Sequence, residues 1–483
     1  MYTGYAVLLI SRVPRCDEQK ELSKRFERFD LQELIRTALD VSDGSRYCTR
    51  VLKCLEGLHN KAFIFTMDHG VEVFAKLPNP SAGPARYTTA SEVATYDMLR
   101  EVFKVPVSRI FAWPADATNN PVGAEYIIQE KVHGVRLGSL WNQWRRKAKL
   151  DLIKQVVDME IKLTTMAFPW HSCIYYKNDL LSLTGDAKAL TVDSVAPEAL
   201  EHFAIGPLTS AELWTGVRKD MRLDRGPWLN PIQYTHALGK NEIAWIKSHA
   251  KSRMNYYRSM EDQEHPEDGL ALLTQYMDAA SYLIPSSDDE AASSNVLWHP
   301  DLHLDNVFVD PNTHEITSII DWQSALNEEE QNEIQKNLES ETMHIYCEAQ
   351  VYKRAPRHWA VLQQKTVCLV TGVWERRNLF FLRQSLIVLA AYWEEVSSDS
   401  GLTCPVQVTK TDLELYSEEE ENIDGVGQLL TILHDQALLP HDGMIRYEDY
   451  EAAVKISQGN PLGSNRQSSN IMVVNLTMDS PRI

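Results

Sequence analysis

No stretch of this 483-residue chain approaches the roughly 20 consecutive apolar residues that span a bilayer, so no transmembrane segment is expected. Cys-x-x-Cys pairs are also missing. The seven cysteines (Cys16, Cys48, Cys54, Cys173, Cys347, Cys368 and Cys404) are scattered and odd in number. They offer neither zinc-ligand spacing nor a disulfide framework, and a reducing compartment is the plain reading. Positive charge is scarce: 48 Lys and Arg stand against 67 Asp and Glu, a formal net charge of −19. Such a chain gains nothing from counterion release on nucleic acid and is repelled by anionic lipid, so nucleic acid is not an expected partner. A single anionic nucleotide remains possible through a local cluster of donors and a divalent cation. There is no internal repeat, and nothing in the sequence reports an oligomeric state.

What is present is ordinary for a folded protein, with 44% apolar and 24% charged residues over a length that suggests more than one packed unit. Residues 1–16 hold Arg12 and Arg15 and no acid, which is compatible with a mitochondrial presequence as well as with an ordinary N-terminus. Helical spacing runs through 17–40 with a break near Asp30. Three strands are expected at Val51–Leu55, Ala62–Met67 and Val71–Leu77, the last two joined by a tight Asp68-His69-Gly70 turn. A proline-rich loop over 78–84 leads into a helix at Thr89–Phe103, part-capped by Ser91 and opened by Glu92. A short strand at Ile127–Val132 runs into Gly134. Helices follow at 148–167 and 378–395, with an irregular aromatic-rich stretch, "RGPWLNPIQY", between them. The acidic runs Glu328–Glu341 and Asp412–Asp424 read as solvated helix faces, and the polar tail from Gln458 as disorder. The expected divisions are an N-terminal extension over 1–49, a β-rich lobe over 50–134, a helical lobe over 135–455 and a tail over 456–483. This is an α+β, two-lobed arrangement with a cleft between the lobes.

The densest chemistry lies in "VLWHPDLHLDNVFVDP", 296–311, where His299, Asp301, His303, Asp305 and Asn306 fall within eight positions. Polar groups packed this closely are costly to order without partners. A metal cage built on His299, Asp301 and His303 needs a strand to align them, and Pro300 argues against one. The next residues favour another geometry. Val307–Val309, the turn Asp310-Pro311-Asn312-Thr313, and Glu315–Ile320 form an antiparallel hairpin. Asn306 enters this hairpin and Asp321 leaves it, so both sit at its open end. An amide oxygen beside a carboxylate suits Mg²⁺, with phosphate oxygens and water completing the shell. Asp301, just upstream, is placed to meet an incoming hydroxyl.

His-x-Asp-x-x-x-x-Asn, then a hairpin, then Asp, is the pattern of protein-kinase-like phosphotransferases. "HPDLHLDN…IIDWQ" resembles more narrowly the aminoglycoside phosphotransferase and choline kinase superfamily. Upstream, Lys76 in "EVFAKLP" and Glu92 stand in the order such a fold requires. "AKLPNPSAGPARYTTASEVATYDMLR", "NPVGAEYIIQEKVHGVRLGSLW", "IGPLTSAELW", "RGPWLNP" and "NEIAWIKSHA" resemble the fungal "altered inheritance of mitochondria" branch, over about residues 25–450.

The resemblance implies a protein-kinase-like fold and ATP- and Mg²⁺-dependent transfer of phosphate to a hydroxyl of a small molecule. It also implies a mitochondrial location. Asp301 would be the catalytic base, Asn306 and Asp321 the Mg²⁺ ligands, and Lys76 with Glu92 the phosphate-anchoring pair. His299 would brace the loop. The turn carrying Gly57 would cover the phosphates, and main-chain groups near Glu130 and Val132 would meet adenine. Two stretches depart from the branch. Gly57-Leu58-His59-Asn60 stands where Gly-Gly-Phe-Asn is usual, and an acidic run over 327–341 replaces a proline-rich segment. They keep open a second reading, a non-catalytic ATP-binding protein of pseudokinase type.

Overall fold

Alternation of side chains in "NKAFIFTM" and "EVFAKLP" builds the first sheet. In the computed structural model the described residues are 26, 28–54, 59–80, 82–114, 116–192, 195–255, 263–283, 295–297, 299, 301–322, 369–396 and 402–435. The chain divides into two compact units, Lys24–Ser417 and a second made of Met1–Ser23 with Glu418–Ile483. The architecture below is that of the first up to residue 417, and residues 418–435 belong to the second. The expected presequence, the Gly57 turn, the acidic run at 328–341 and the polar tail lie outside the described residues.

Helix α1 (Leu31–Asp40) starts at Asp30, whose carboxylate caps the amides of Gln32 and Glu33. Strands β1 (Cys48–Lys53), β2 (Asn60–Met67) and β3 (Glu72–Pro78) follow, then helix α2 (Tyr87–Glu101), β4 (Ile110–Ala112) and β5 (Ile127–Glu130). The five strands form one antiparallel sheet in the order β1-β2-β3-β5-β4. Phe63, Phe65 and Met67 of β2 and Val73, Ala75 and Leu77 of β3 point to one face. There they bury against Leu34 and Ala38 of α1 and against Ile128. The N-terminal helix is thus part of this sheet's core.

α2 begins two residues earlier than the sequence suggests, and Ser91 lies inside it, not at its cap. Tertiary contacts set its start: Glu125 accepts the Arg86 amide at 2.7 Å and Pro84 O accepts the Thr88 amide at 3.0 Å. Glu92 therefore sits in the second turn instead of opening the helix, with its side chain facing β3.

After β5 the chain turns at Gly134 (φ +98°). A Cβ there would meet Val309 O at 2.5 Å, so only glycine permits the approach. The two-residue strand β6 (Val135–Arg136) then joins a later hairpin. The helical part contains α3 (Arg146–Thr164), a small sheet of β7 (Cys173–Tyr176), β8 (Lys188–Ala189) and β9 (Phe203–Gly206), and helices α4 (Pro231–His249) and α5 (Pro266–Ala279). The hairpin β10 (Val307–Val309) and β11 (Ile316–Ile319) comes next, then α6 (Leu379–Ala391) and α7 (Lys410–Asp435). Of the acidic run carried by α7, Glu414, Glu418, Glu421 and Asp424 are exposed, but Glu419 is fully buried, so the run is not wholly the solvated face the sequence suggests. α4 is the largest element the pattern did not suggest. Asn230 caps it and Pro231 occupies its first position, a recognisable start signal inside a stretch that reads as irregular.

One core gathers the inner face of α2 with Leu152, Val157 and Leu163 of α3 and with Val307, Val309, Ile319 and Trp322 of the hairpin region. α4, α5 and α6 build a second around Trp245, Leu273, Tyr276 and Leu382. The hairpin is fixed to the first core, so the side chains at its open end are held by packed neighbours.

Candidate active site

Lys76 on β3 lies between Ala62 and Ile127 across the sheet. Its Nζ is 2.6 Å from Glu92 Oε1 and 3.3 Å from Asp321 Oδ1. Only 9% of the Lys76 side chain and 1% of the Glu92 side chain are exposed. Burial alone would lower the lysine's pKa, but the two carboxylates outweigh it and hold the ammonium above its usual range. Lys76 therefore ties together three elements: the sheet, α2 and the end of the hairpin.

Asp321 takes φ +70°, a left-handed conformation that aspartate tolerates better than most residues. Its amide donates to the Tyr96 hydroxyl at 3.1 Å, and the neighbouring Ile320 amide donates to Asn306 O at 3.0 Å. That last hairpin bond sets Asn306 beside the Ile320–Asp321 step. Trp322 is fully buried and donates from Nε1 to Ile319 O at 3.0 Å.

His299 joins the loop to this strand. Its Nδ1 accepts the Asp301 amide at 3.1 Å, which places the ring proton on Nε2, where it is donated to Ile320 O at 2.9 Å. The ring packs edge-on against Trp322 at 4.4 Å. Burial holds its pKa below the usual histidine value, consistent with the neutral tautomer these bonds need. Asp301 is half-buried. Burial pushes its carboxyl up, but His303, His299 and Asn306 together hold it below the usual aspartate range. Asn306 Nδ2 donates to Asp301 O at 2.9 Å and lies 3.4 Å from Asp301 Oδ2. With its nitrogen so engaged, Asn306 has its amide oxygen left for another partner.

A cleft of about 410 Å³ opens beside Lys76, Asn306 and Asp321, and His299 and Asp301 do not line it. Lys76, Gln129, Val132, Asn306, Phe308 and Asp321 are among the residues lining it. Val132 reaches it; Glu130 does not line it. The Glu130 carboxylate turns outward, accepting the Arg109 amide at 3.3 Å, and its own amide is used by Arg109 O at 2.8 Å. Gly57 lies outside the described residues, but His59 and Asn60 from the same turn line the cleft.

The donors available to a metal at the hairpin's open end are oxygens, from the Asn306 amide and the Asp321 carboxylate, which fits a hard cation. Among the described residues no group of three or more His, Cys, Asp or Glu side chains forms a metal-holding cluster. Two groups were missed by sequence reasoning. Tyr96 reads as an apolar position on α2, and only the fold brings its hydroxyl to Asp321. His303 was visible only as part of the dense cluster; its Nε2 lies 3.3 Å from Asp301 Oδ2 while its Nδ1 accepts the Asp305 amide at 3.2 Å.

Residues 238–328 match the model of the APH family, described as a phosphotransferase enzyme family. A subtelomeric hrmA-associated cluster protein of Aspergillus fumigatus is 30% identical, with the match covering 85% of this chain and 92% of that protein. The altered inheritance of mitochondria protein 9, mitochondrial, of Saccharomyces cerevisiae is 25% identical over 60% of this chain, and the match spans about half (48%) of that protein. Among solved structures, the streptomycin–ATP–APH(2")-IIa ternary complex aligns with a TM-score of 0.40 and 11% identity, covering 75% of this chain and 98% of that one. The matched model spans His299, Asp301, Asn306 and Asp321, Lys76 of the five-stranded sheet meets Glu92 of α2 and Asp321 at the end of the hairpin, and the chain belongs to the APH phosphotransferase family with a protein-kinase-like α+β fold.

Proposed function

We propose that this protein is an ATP- and Mg²⁺-dependent phosphotransferase that acts on a hydroxyl group of a small molecule. The observation that carries the reading is the meeting of Lys76, Glu92 and Asp321 at the floor of a cleft that Asn306 also lines. Lys76, oriented by Glu92, anchors the nucleotide phosphates. Val132 and its neighbours border the base. Asn306 and Asp321 hold Mg²⁺, which when bound offsets the charge of the phosphate oxygens. Asp301, aimed by His299 and His303, accepts the proton of the acceptor hydroxyl. It starts deprotonated, because its neighbours hold its carboxyl below the usual range. Most of the rate enhancement then comes from positioning and preset charge.

A mitochondrial location is proposed on the name of the yeast relative and the acid-free, arginine-bearing start of the sequence. No helix among the described residues is long and apolar enough to cross a membrane.

Thermal shift tests the nucleotide half of this reading. ATP with Mg²⁺ is expected to raise the melting temperature of the wild-type protein, and chelation or Asp321→Asn to remove most of the rise. A shift indifferent to both would refute the metal assignment. Binding without turnover across a panel of hydroxyl acceptors would instead favour the pseudokinase reading.

A further inference from the structure

The sheet that lines the cleft has two faces. Phe63, Phe65, Val73 and Ala75 pack with α1, so alternation turns Ala62, Ile64, Phe74 and Lys76 the other way, where they line the cleft. Phe308 and Ile320 of the hairpin region line it too. The result is an apolar slot beside Lys76, the residue assigned above to the phosphates. Phe74 stands two residues from Lys76 along β3, about 7 Å away. Gln129 of β5 faces Phe74 across the sheet.

Most polar groups along the cleft are already engaged. Lys76 is held by Glu92 and Asp321, and Lys131 Nζ lies 2.5 Å from Glu72 Oε2. The Tyr96 hydroxyl takes the Asp321 amide, and the Arg136 guanidinium lies 6.0 Å from the Phe308 ring centroid. His59 Nδ1 and Asn60 Oδ1 are sealed from any surface. Burial raises the pKa of the Cys54 thiol and keeps it neutral. Gln129 differs from all of these. It is 4% exposed, and its carboxamide makes no hydrogen bond among the described residues. Neither carboxamide atom is among the sealed groups, so the little surface Gln129 keeps includes its polar end, and that surface lies on the cleft. A nearly buried amide without a partner calls for one, and the slot is where a ligand would bring it.

We infer that Gln129 selects the nucleobase, taking adenine in preference to guanine. Its Oε1 accepts from the exocyclic amino group and its Nε2 donates to the neighbouring ring nitrogen, the paired bonds by which a carboxamide reads adenine. The same edge of guanine offers two acceptors, which leaves Oε1 facing a lone pair. The apolar walls from Phe74 and Phe308 suit the flat ring. The assignment rests on the nucleotide reading proposed above and adds the side chain that chooses the base.

Calorimetric titration of the full-length protein, with Mg²⁺ throughout, tests it against ATP, GTP and 7-deaza-ATP, which lacks the ring acceptor. Wild type is expected to bind ATP at least about tenfold tighter than GTP, with 7-deaza-ATP weaker than ATP by about three- to tenfold. This comparison needs no variant to fold. Gln129→Met keeps the volume and removes both polar atoms. It should weaken ATP by about tenfold, leave GTP within about twofold of wild type, and so nearly abolish the preference. Equal affinities of wild type for ATP and GTP, equal affinities for ATP and 7-deaza-ATP, or an unchanged preference in Gln129→Met would each overturn the role of Gln129 while the nucleotide reading stands. Failure of wild type to bind any of the three would refute that reading, and the base assignment with it.

Discussion

Asp301 has a neighbour, His303, that the His-x-Asp-x-x-x-x-Asn pattern leaves unspecified. Because His303 Nδ1 accepts the Asp305 amide, its Nε2 proton faces Asp301 Oδ2 at 3.3 Å. A hydrogen bond to a charged group contributes about 1.5–3 kcal/mol, equivalent to roughly ten- to a hundred-fold in rate if it is lost only at the reacting centre. His303→Leu should therefore lower kcat by about that factor with little change in KM for ATP. His303→Gln keeps an N–H near the same place and should recover most of the loss. Steady-state kinetics decide it: equal defects in the two variants would reduce His303 to packing. The Lys76–Glu92 pair differs in kind, since it is buried and shared with Asp321. It organises the site and the fold together, so its variants cannot separate the two.

Elements were legible where side chains repeat with a period and obscure where tertiary contact decides. β2, β3, α3 and the hairpin announce themselves by alternation or helical spacing, and Asn306 and Asp321 could be placed because a hairpin fixes which residues share an end. The start of α2 was misread because Glu125, far along the chain, holds the Arg86 amide. β6 has only two residues and is defined by pairing Phe308 with Arg136, so it carries no pattern of its own. Tyr96 shows why part of the site stayed hidden: its hydroxyl matters only once α2 and the hairpin meet.

The segment entering β7 offers an element-scale prediction. His171 pairs backbone groups with Trp228, stacks on Tyr234 of α4 at 4.3 Å, and has a buried, unpartnered Nε2. Burial pulls its pKa from 6.5 down to about 4. Between those values the unfolded chain binds the proton and the folded one does not, so stability falls as pH drops from 6.5 toward 4. The contribution is at most about 3 kcal/mol. Denaturation of His171→Phe over this range should show a shallower pH dependence than the wild type. Parallel curves would mean that His171 does not carry the effect.

At the scale of the molecule, a buried ion network ties the helical part together. Arg218 and Glu242 are both fully buried and joined by two bonds, at 2.6 Å and 3.0 Å, while Arg218 Nε reaches Glu375 at 3.2 Å and its guanidinium lies over Trp245 at 5.1 Å. Removing one member leaves a buried charge without its partner, so Glu242→Gln or Arg218→Met should destabilise by about 3–5 kcal/mol in chemical denaturation. Arg218→Met with Glu242→Leu should recover part of that. A loss below about 1 kcal/mol in both single variants would show that the network is dispensable.

In the proposed reaction the roles are separate: Asp301 handles the proton, while Lys76, Asn306 and Asp321 hold the nucleotide and its metal. The most direct measurement compares Asp301→Asn with wild type for Mg²⁺-ATP affinity by calorimetry and for ADP release in the presence of hydroxyl acceptors. Affinity within about twofold, with turnover reduced by roughly a hundredfold or more, is the predicted result. Loss of affinity in step with turnover, or turnover left intact, would contradict it.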